Sequence, residues 1–304
     1  FFFQAEDGIR DTSVTGVQTC ALPISPFRKG KVDERALGDL IEWQIAKDTN
    51  GIVPCGTTGE SATLSHEEHN RVIELTVEVV RRRVPVMAGT GSNSTDEAIS
   101  LTKHAKQAGA DAALLITPYY NKPTQEGLYR HYKAIAEAVD LPLVLYNIPG
   151  RTGVNMFPAT IARLAVIETI VGVKEGSGVI QQASDIVQTC GDRLAVLAGD
   201  DAMTLPMMAV GGKGVITVTA NIAPTEMANM VKAFAAGNIE EARRIHFQLS
   251  PLFAALFYET NPIPVKEALG MMGKIDPELR LPLCSMGKEN RDKLMQVMKE
   301  GRFI

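Results

Sequence analysis

The sequence predicts an α/β fold, a (β/α)8 TIM barrel with a C-terminal helical appendage, and three observations carry that prediction. Short apolar runs without alternating polarity recur along the chain, the pattern of strands covered on both faces and hence of a parallel sheet. Helical stretches separate those runs, so strand and helix alternate. Seven such strands, with one more candidate ahead of them, make the eight that close a barrel. The competing architecture is a doubly wound open sheet, which wants a G-x-G-x-x-G turn after its first strand. Gly89-Thr90-Gly91-Ser92-Asn93-Ser94 lacks the third glycine and comes too late.

Residues 1–25 (FFFQAEDGIRDTSVTGVQTCALPIS) differ from everything after them. They have neither the basic start nor the cleavage pattern of a secretory signal. They resemble translated sequencing-adaptor sequence joined to a gene, and we expect them to be a foreign segment. Residues 20–25 then stand in for the first strand, although Pro23 cannot donate to a sheet ladder. The barrel is expected over 26–237. A helix over 32–47 sets Leu37, Leu40, Ile41 and Ile45 on one face behind an Asp33 cap. A strand at 51–55 follows, and the next helix opens near Ser65 with Glu68 completing a capping box. Strands are expected at 84–88, 112–116, 142–146, 170–174, 194–198 and 214–218, with helices at 94–108 and 125–139 among them. The C-terminal region, 238–304, reads as helices over 240–257, 264–272 and 288–300.

Composition narrows the function classes. The chain has 304 residues, 45% of them hydrophobic and 22% charged, which suits a globular protein with ample core material. A formal net charge of -4 gives no reason to expect a nucleic-acid or membrane partner. No apolar run approaches the length of a membrane span. Cys20, Cys55, Cys190 and Cys284 are scattered without a C-x-x-C pair and read as reduced thiols of a cytoplasmic protein, with no zinc site.

In a barrel the C-terminal ends of the strands share one mouth. Those ends are polar here: Gly56-Thr57-Thr58-Gly59-Glu60, Thr117-Pro118-Tyr119-Tyr120-Asn121, Tyr146-Asn147-Ile148-Pro149-Gly150-Arg151-Thr152, Lys174-Glu175 and Gly199-Asp200-Asp201. Lys174 has two readings. It pairs with Glu175 or another carboxylate at a sheet rim, or it is a desolvated amine able to attack a ketone and form a Schiff base. The second reading finds its helpers nearby in the pattern. Tyr146 transfers protons, Thr57 passes them on, and Arg151 holds a carboxylate. Other candidates read as structural: Lys266 in a turn before a helix, Asp201 as a helix cap, and Gly211-Gly212-Lys213-Gly214 as a loop. His66 and His69 read as surface histidines flanking a helix start, since no third metal ligand is evident.

The motifs Gly56-Thr57-Thr58-Gly59-Glu60-Ser61, Thr117-Pro118-Tyr119-Tyr120-Asn121, Tyr146-Asn147-Ile148-Pro149 with Arg151-Thr152, Gly172-Val173-Lys174-Glu175 and Asn261-Pro262-Ile263-Pro264-Val265-Lys266 closely resemble the dihydrodipicolinate synthase family. The resemblance runs from Pro26 to the C-terminus. It implies condensation of pyruvate with L-aspartate 4-semialdehyde, giving 4-hydroxy-tetrahydrodipicolinate in lysine and diaminopimelate biosynthesis, with no metal or organic cofactor. Lys174 is then the Schiff-base lysine and Tyr146 the general acid/base, relayed through Thr57 and Tyr120. Thr58 and the backbone around Ile216 position pyruvate, and Arg151 binds the semialdehyde carboxylate. Tyr120 reaches a neighbouring subunit's site in this family, which implies at least a dimer, and the resemblance implies a homotetramer built as a dimer of dimers.

Feedback-inhibited members bind lysine at the dimer interface, and the matching positions are Ser61, Ala62, Leu64, His66, His69, Asn93, Glu97 and Tyr119. Glu97 then holds the lysine amine and Asn93 its polar end. The alternatives are a sibling class I 2-keto-acid aldolase, cleaving N-acetylneuraminate or a keto-deoxy sugar acid, and an inert barrel acting as a sensor or scaffold. Arg151 and the double threonine favour the synthase over the sibling.

Overall fold

The computed structural model describes residues 18–304, so most of the segment expected to be foreign lies outside the described residues. Eight short strands form one sheet: β1 Gln18–Ala21, β2 Gly51–Ile52, β3 Met87–Gly89, β4 Ala112–Ile116, β5 Leu143–Asn147, β6 Ile170–Glu175, β7 Ala195–Ala198 and β8 Gly214–Thr217. Their order is β2-β1-β8-β7-β6-β5-β4-β3, with parallel pairing. A parallel bridge also pairs Ile52 with Val86. Strand residues are buried on both faces, which is why their sequences lack alternation.

The first strand corrects the expectation that residues 20–25 stand in for it. It runs from Gln18 to Ala21 and ends before Pro23, so the proline takes no ladder position. All four of its residues are buried. Cys20 and Ala21 pair with Gly51 and Ile52. Gln18 N donates to Lys213 O (2.8 Å) and Leu22 N to Thr217 O (3.1 Å). Gly214 permits that approach: a Cβ there would stand 1.9 Å from Gln18 O, and its φ is +134°.

The described residues cluster into two compact units. One comprises Met87–Ile216 with Gln18, and holds β3 to β7 and most of β8. Its helices α3 (Thr95–Ala108), α4 (Gln125–Ala138), α5 (Pro149–Thr152), α6 (Pro158–Leu164), α7 (Ile180–Cys190) and α8 (Thr204–Ala209) follow the strands in turn. The cap ahead of α8 comes from Asp200, whose carboxylate accepts from Ala202 N at 2.9 Å, and not from Asp201 as expected. The other unit comprises Thr19–Val86 and Thr217–Ile304. It contains α1 (Glu34–Ala46), α2 (His66–Val80), α9 (Pro224–Ala235), α10 (Ile239–Ala255), α11 (Ile263–Met271) and α12 (Lys288–Glu300). Asp33 caps α1, and Ser65 and Glu68 form the expected capping box on α2. A small hairpin, Phe27–Arg28 with Lys31–Val32, precedes α1 and has no counterpart in the sequence reading. No helix among the described residues is long and apolar enough to cross a membrane.

Inside the first unit, α4 buries His131 beside Tyr132, with its Nδ1 2.9 Å from Thr95 Oγ1. Burial pushes this imidazole from its ordinary 6.5 down to about 4. The unfolded chain therefore binds a proton that the folded chain refuses. The corresponding stability is present above about pH 6.5 and is lost as the pH falls to about 4. Roughly 3 kcal/mol is at stake over that window. Urea unfolding of His131→Gln should show a weaker loss of stability between these pH values than the parent protein, and identical slopes would sink the assignment.

Candidate active site

In the first unit, β5 ends in Tyr146-Asn147 and β6 in Lys174-Glu175. Parallel register sets Tyr146 opposite Lys174 and Asn147 opposite Glu175. Successive side chains on a strand point to opposite faces, so Tyr146 and Lys174 share one face and Asn147 and Glu175 the other. Lys174 is 1% exposed, and its Nζ stands 4.3 Å from the centroid of the Tyr146 ring.

The opposite face explains Glu175. Its Oε2 accepts from Asn147 Nδ2 and from Gln182 Nε2, each at 3.0 Å, and its Oε1 accepts from Ser177 N at 2.6 Å. Asn155 closes the network, with Oδ1 accepting from Asn147 Nδ2 at 2.7 Å and Nδ2 donating to Gln182 Oε1 at 2.8 Å. A Lys174–Glu175 pair is therefore not what holds the lysine. Glu175 ties β6 to β5 and α7 from behind.

Ile148 links β5 to the single-turn helix α5, on which Arg151 is exposed at the surface. Ile216 lies buried within β8. Beyond β4, Tyr120 adopts a left-handed conformation (φ 71°) and is 89% exposed, a costly display for an aromatic ring. Its neighbour Tyr119 lies near Glu97: burial first, and that carboxylate second, push its phenol up. Asn121 Nδ2 donates to Asn93 O at 2.9 Å, and Ser92 Oγ donates to Glu97. The structure thus groups Asn93, Glu97 and Tyr119.

In the second unit the chain leaves β2 through consecutive tight turns, with Gly59 N bonding to Gly56 O and Glu60 N to Thr57 O, both at 3.1 Å. Gly56 has no room for a side chain, since a Cβ there would lie 2.5 Å from Leu22 Cδ2. Thr57 is half-buried and Thr58 fully buried, its Oγ1 accepting from Asn261 Nδ2 at 3.0 Å. Ser61, Ala62, Leu64 and His66 follow at or near the surface. His69 does not share that exposure. It is buried on α2, where the amphipathic period turns the fourth residue of the helix inward, and the expectation of two surface histidines is corrected. Lys266 is corrected as well. It lies on α11, not in a turn before a helix, and forms a buried ion pair with Glu60 at 2.5 Å. Asn261, Glu60 and Arg280 are the residues the sequence reading missed as supports of the Thr57–Thr58 turn. The run Asn261-Pro262-Ile263-Pro264-Val265-Lys266 was the available signal.

Known proteins resemble the chain over most of its length. The family model described as the Dihydrodipicolinate synthetase family matches residues 16–301. A curated 4-hydroxy-tetrahydrodipicolinate synthase from Thermodesulfovibrio yellowstonii is 59% identical over 281 residues, covering 92% of this chain and 97% of the relative. The crystal structure of dihydrodipicolinate synthase from Aquifex aeolicus is similar at a TM-score of 0.93 and 49% identity, covering 94% of this chain and 98% of its own. That of a dihydrodipicolinate synthase from Cyanidioschyzon merolae with lysine bound is similar at 0.92 and 39% identity, covering 95% and 99%.

Three donors converge on Glu175, so Glu175→Gln sets an amide group against them at almost unchanged volume. The variant is expected to lose about 2 kcal/mol of unfolding free energy. Urea titration checks this, and an unchanged midpoint would show that the network does not hold β5 to β6.

Proposed function

The chain belongs to the dihydrodipicolinate synthetase family, and on that premise we propose that it condenses pyruvate with L-aspartate 4-semialdehyde to give 4-hydroxy-tetrahydrodipicolinate, the first committed step of lysine and diaminopimelate biosynthesis. The observation that carries this reading is the buried Lys174 amine packed against the Tyr146 ring. An amine held out of water next to a phenol suits imine formation, because the phenol supplies and removes the protons that the addition and the loss of water require.

Lys174 attacks the ketone carbon of pyruvate, and the carbinolamine loses water to give a protonated imine. That imine draws electrons from the adjacent methyl group, which gives up a proton and becomes an enamine. The enamine carbon then attacks the aldehyde of the second substrate, and the amine of that substrate displaces Lys174 as the ring closes. Tyr146 serves as the proton carrier, with Thr57 and Tyr120 continuing the relay. Thr58 and the backbone around Ile216 hold pyruvate. Arg151, exposed directly after β5, binds the semialdehyde carboxylate in a bidentate fork.

The exposed, left-handed Tyr120 supports a homotetramer in which this residue serves a neighbouring subunit. The cluster of Asn93, Glu97 and Tyr119, and the separate segment Ser61, Ala62, Leu64, His66 and His69, support inhibition by lysine. The lysine-bound Cyanidioschyzon merolae protein favours the same reading. The proposed setting is the cytoplasm, where pyruvate and the semialdehyde are at hand.

Borohydride added with pyruvate should fix an adduct on the peptide containing Lys174 and on no other, and Lys174→Ala should abolish it. Tyr146→Phe should lower kcat by at least ~100-fold, while Arg151→Met should raise KM for the semialdehyde and leave pyruvate trapping intact. Cleavage of N-acetylneuraminate faster than condensation would overturn the reading in favour of the sibling aldolase. Millimolar lysine is expected to slow the condensation, and an unchanged rate would remove the regulatory part alone.

A further inference from the structure

We propose that the Lys266–Glu60 ion pair, together with Asn261, is a clamp that positions Thr57 and Thr58 for the reaction. The inference rests on the reading of those threonines given above.

Four observations within the second unit carry it. The pair is sealed from solvent, with side-chain exposures of 0% and 1%. Such a pair is a poor device for stability, because desolvation of both ions offsets their attraction and apolar residues of similar volume do as well. Burial also draws the Lys266 amine down to about 8, against the pull of Glu60. Glu60 adopts a left-handed conformation (φ 50°), which a side chain with a Cβ rarely takes. A buried charge and an unfavourable backbone at one residue are local departures of the sort that functional sites retain.

Each oxygen of the Glu60 carboxylate has a close neighbour. Its Oε1 meets Lys266 Nζ, and its Oε2 accepts from Arg280 N at 3.3 Å. Lys266 Nζ donates to Glu278 O at 2.8 Å and lies 4.0 Å from the Phe27 ring centroid. These contacts hold the Glu60 carboxylate between Lys266 and Arg280 N. Its backbone N–H in turn holds Thr57 O.

The fourth observation is the common origin of the grips. Asn261 holds the Thr58 hydroxyl and Lys266 holds Glu60, two residues further along the same turn. Asn261 and Lys266 lie at the start of α11, where Lys266 N bonds to Pro262 O at 3.0 Å. One helical end therefore fixes the turn at two points, one on either side of Gly59. A purely structural pair would need neither the second grip nor the strained residue.

The test replaces the pair by neutral groups of similar volume, Lys266→Met with Glu60→Gln, in the full-length enzyme. The expected result is a folded protein that still traps pyruvate at Lys174 and whose kcat for condensation falls at least tenfold. Lys266→Arg, which keeps the charge, should recover most of that loss. In a Thr57→Val background the same double substitution should cost less than twofold more, because the turn it positions has already lost its hydroxyl. Wild-type kcat in the double variant, or fully additive losses with Thr57→Val, would overturn the clamp. If the double variant fails to fold, Asn261→Leu decides instead: a tenfold fall in kcat/KM for pyruvate supports the clamp, and an unchanged value overturns it. Absence of a borohydride-trapped adduct in the unaltered enzyme would defeat the Schiff-base reading itself, and the clamp with it.

Discussion

The register between β5 and β6 is the constraint on which the proposed chemistry depends. A strand repeats every two residues, so one step of slippage by β6 would turn Glu175 to the face that Lys174 now occupies. The pairing absorbs one irregularity, between Leu143 and Val144, and runs in step from there to the strand ends. The Asn147–Glu175 hydrogen bond locks the last rung from behind, and Gln182 anchors it to α7. An ionisable residue buried on each face of one strand is expensive. Here the carboxylate is satisfied by three donors, and the amine packs against the Tyr146 ring.

A similar economy governs the second unit at the end of β2. Its tight turns require a glycine where Leu22 approaches, and they carry two non-glycine residues with positive φ, Cys55 and Glu60. The first unit repeats the habit beyond β4, at Tyr120 and Lys122. These four are among the nine non-glycine residues with positive φ in the described residues, and all four lie in loops that follow barrel strands. Loops on a rigid scaffold are where a barrel carries its function, and strain there persists because the surrounding contacts over-determine it.

Much of this was legible from local pattern. The apolar runs located the strands to within one or two residues at most ends, and the Ser65–Glu68 capping box appeared as written. Lys174 stood out as a candidate because it closes an apolar strand, although the same pattern also allowed an ion pair at a sheet rim. Elsewhere local pattern misled. The proline in 20–25 spoiled the only visible strand candidate, yet the strand formed two residues earlier on Gln18–Ala21, whose polar Gln18 and Thr19 are buried by neighbours distant in sequence. Asp200 and Asp201 are equivalent as letters, and only backbone geometry chose the capping one. His69 read as a surface residue because its burial is conferred by packing, not by its own chemistry.

By itself, then, the sequence determined the alternation of strand and helix and the family, since each of these is written in periodicity or in contiguous motifs. Only the tertiary structure decided that Glu175 faces away from Lys174, that Tyr120 is displayed to solvent, and that Lys266 lies buried on Glu60. The physical reason is range. Periods and caps act over a few residues, whereas the partner of a buried charge is chosen by folding, here across 206 positions between Glu60 and Lys266.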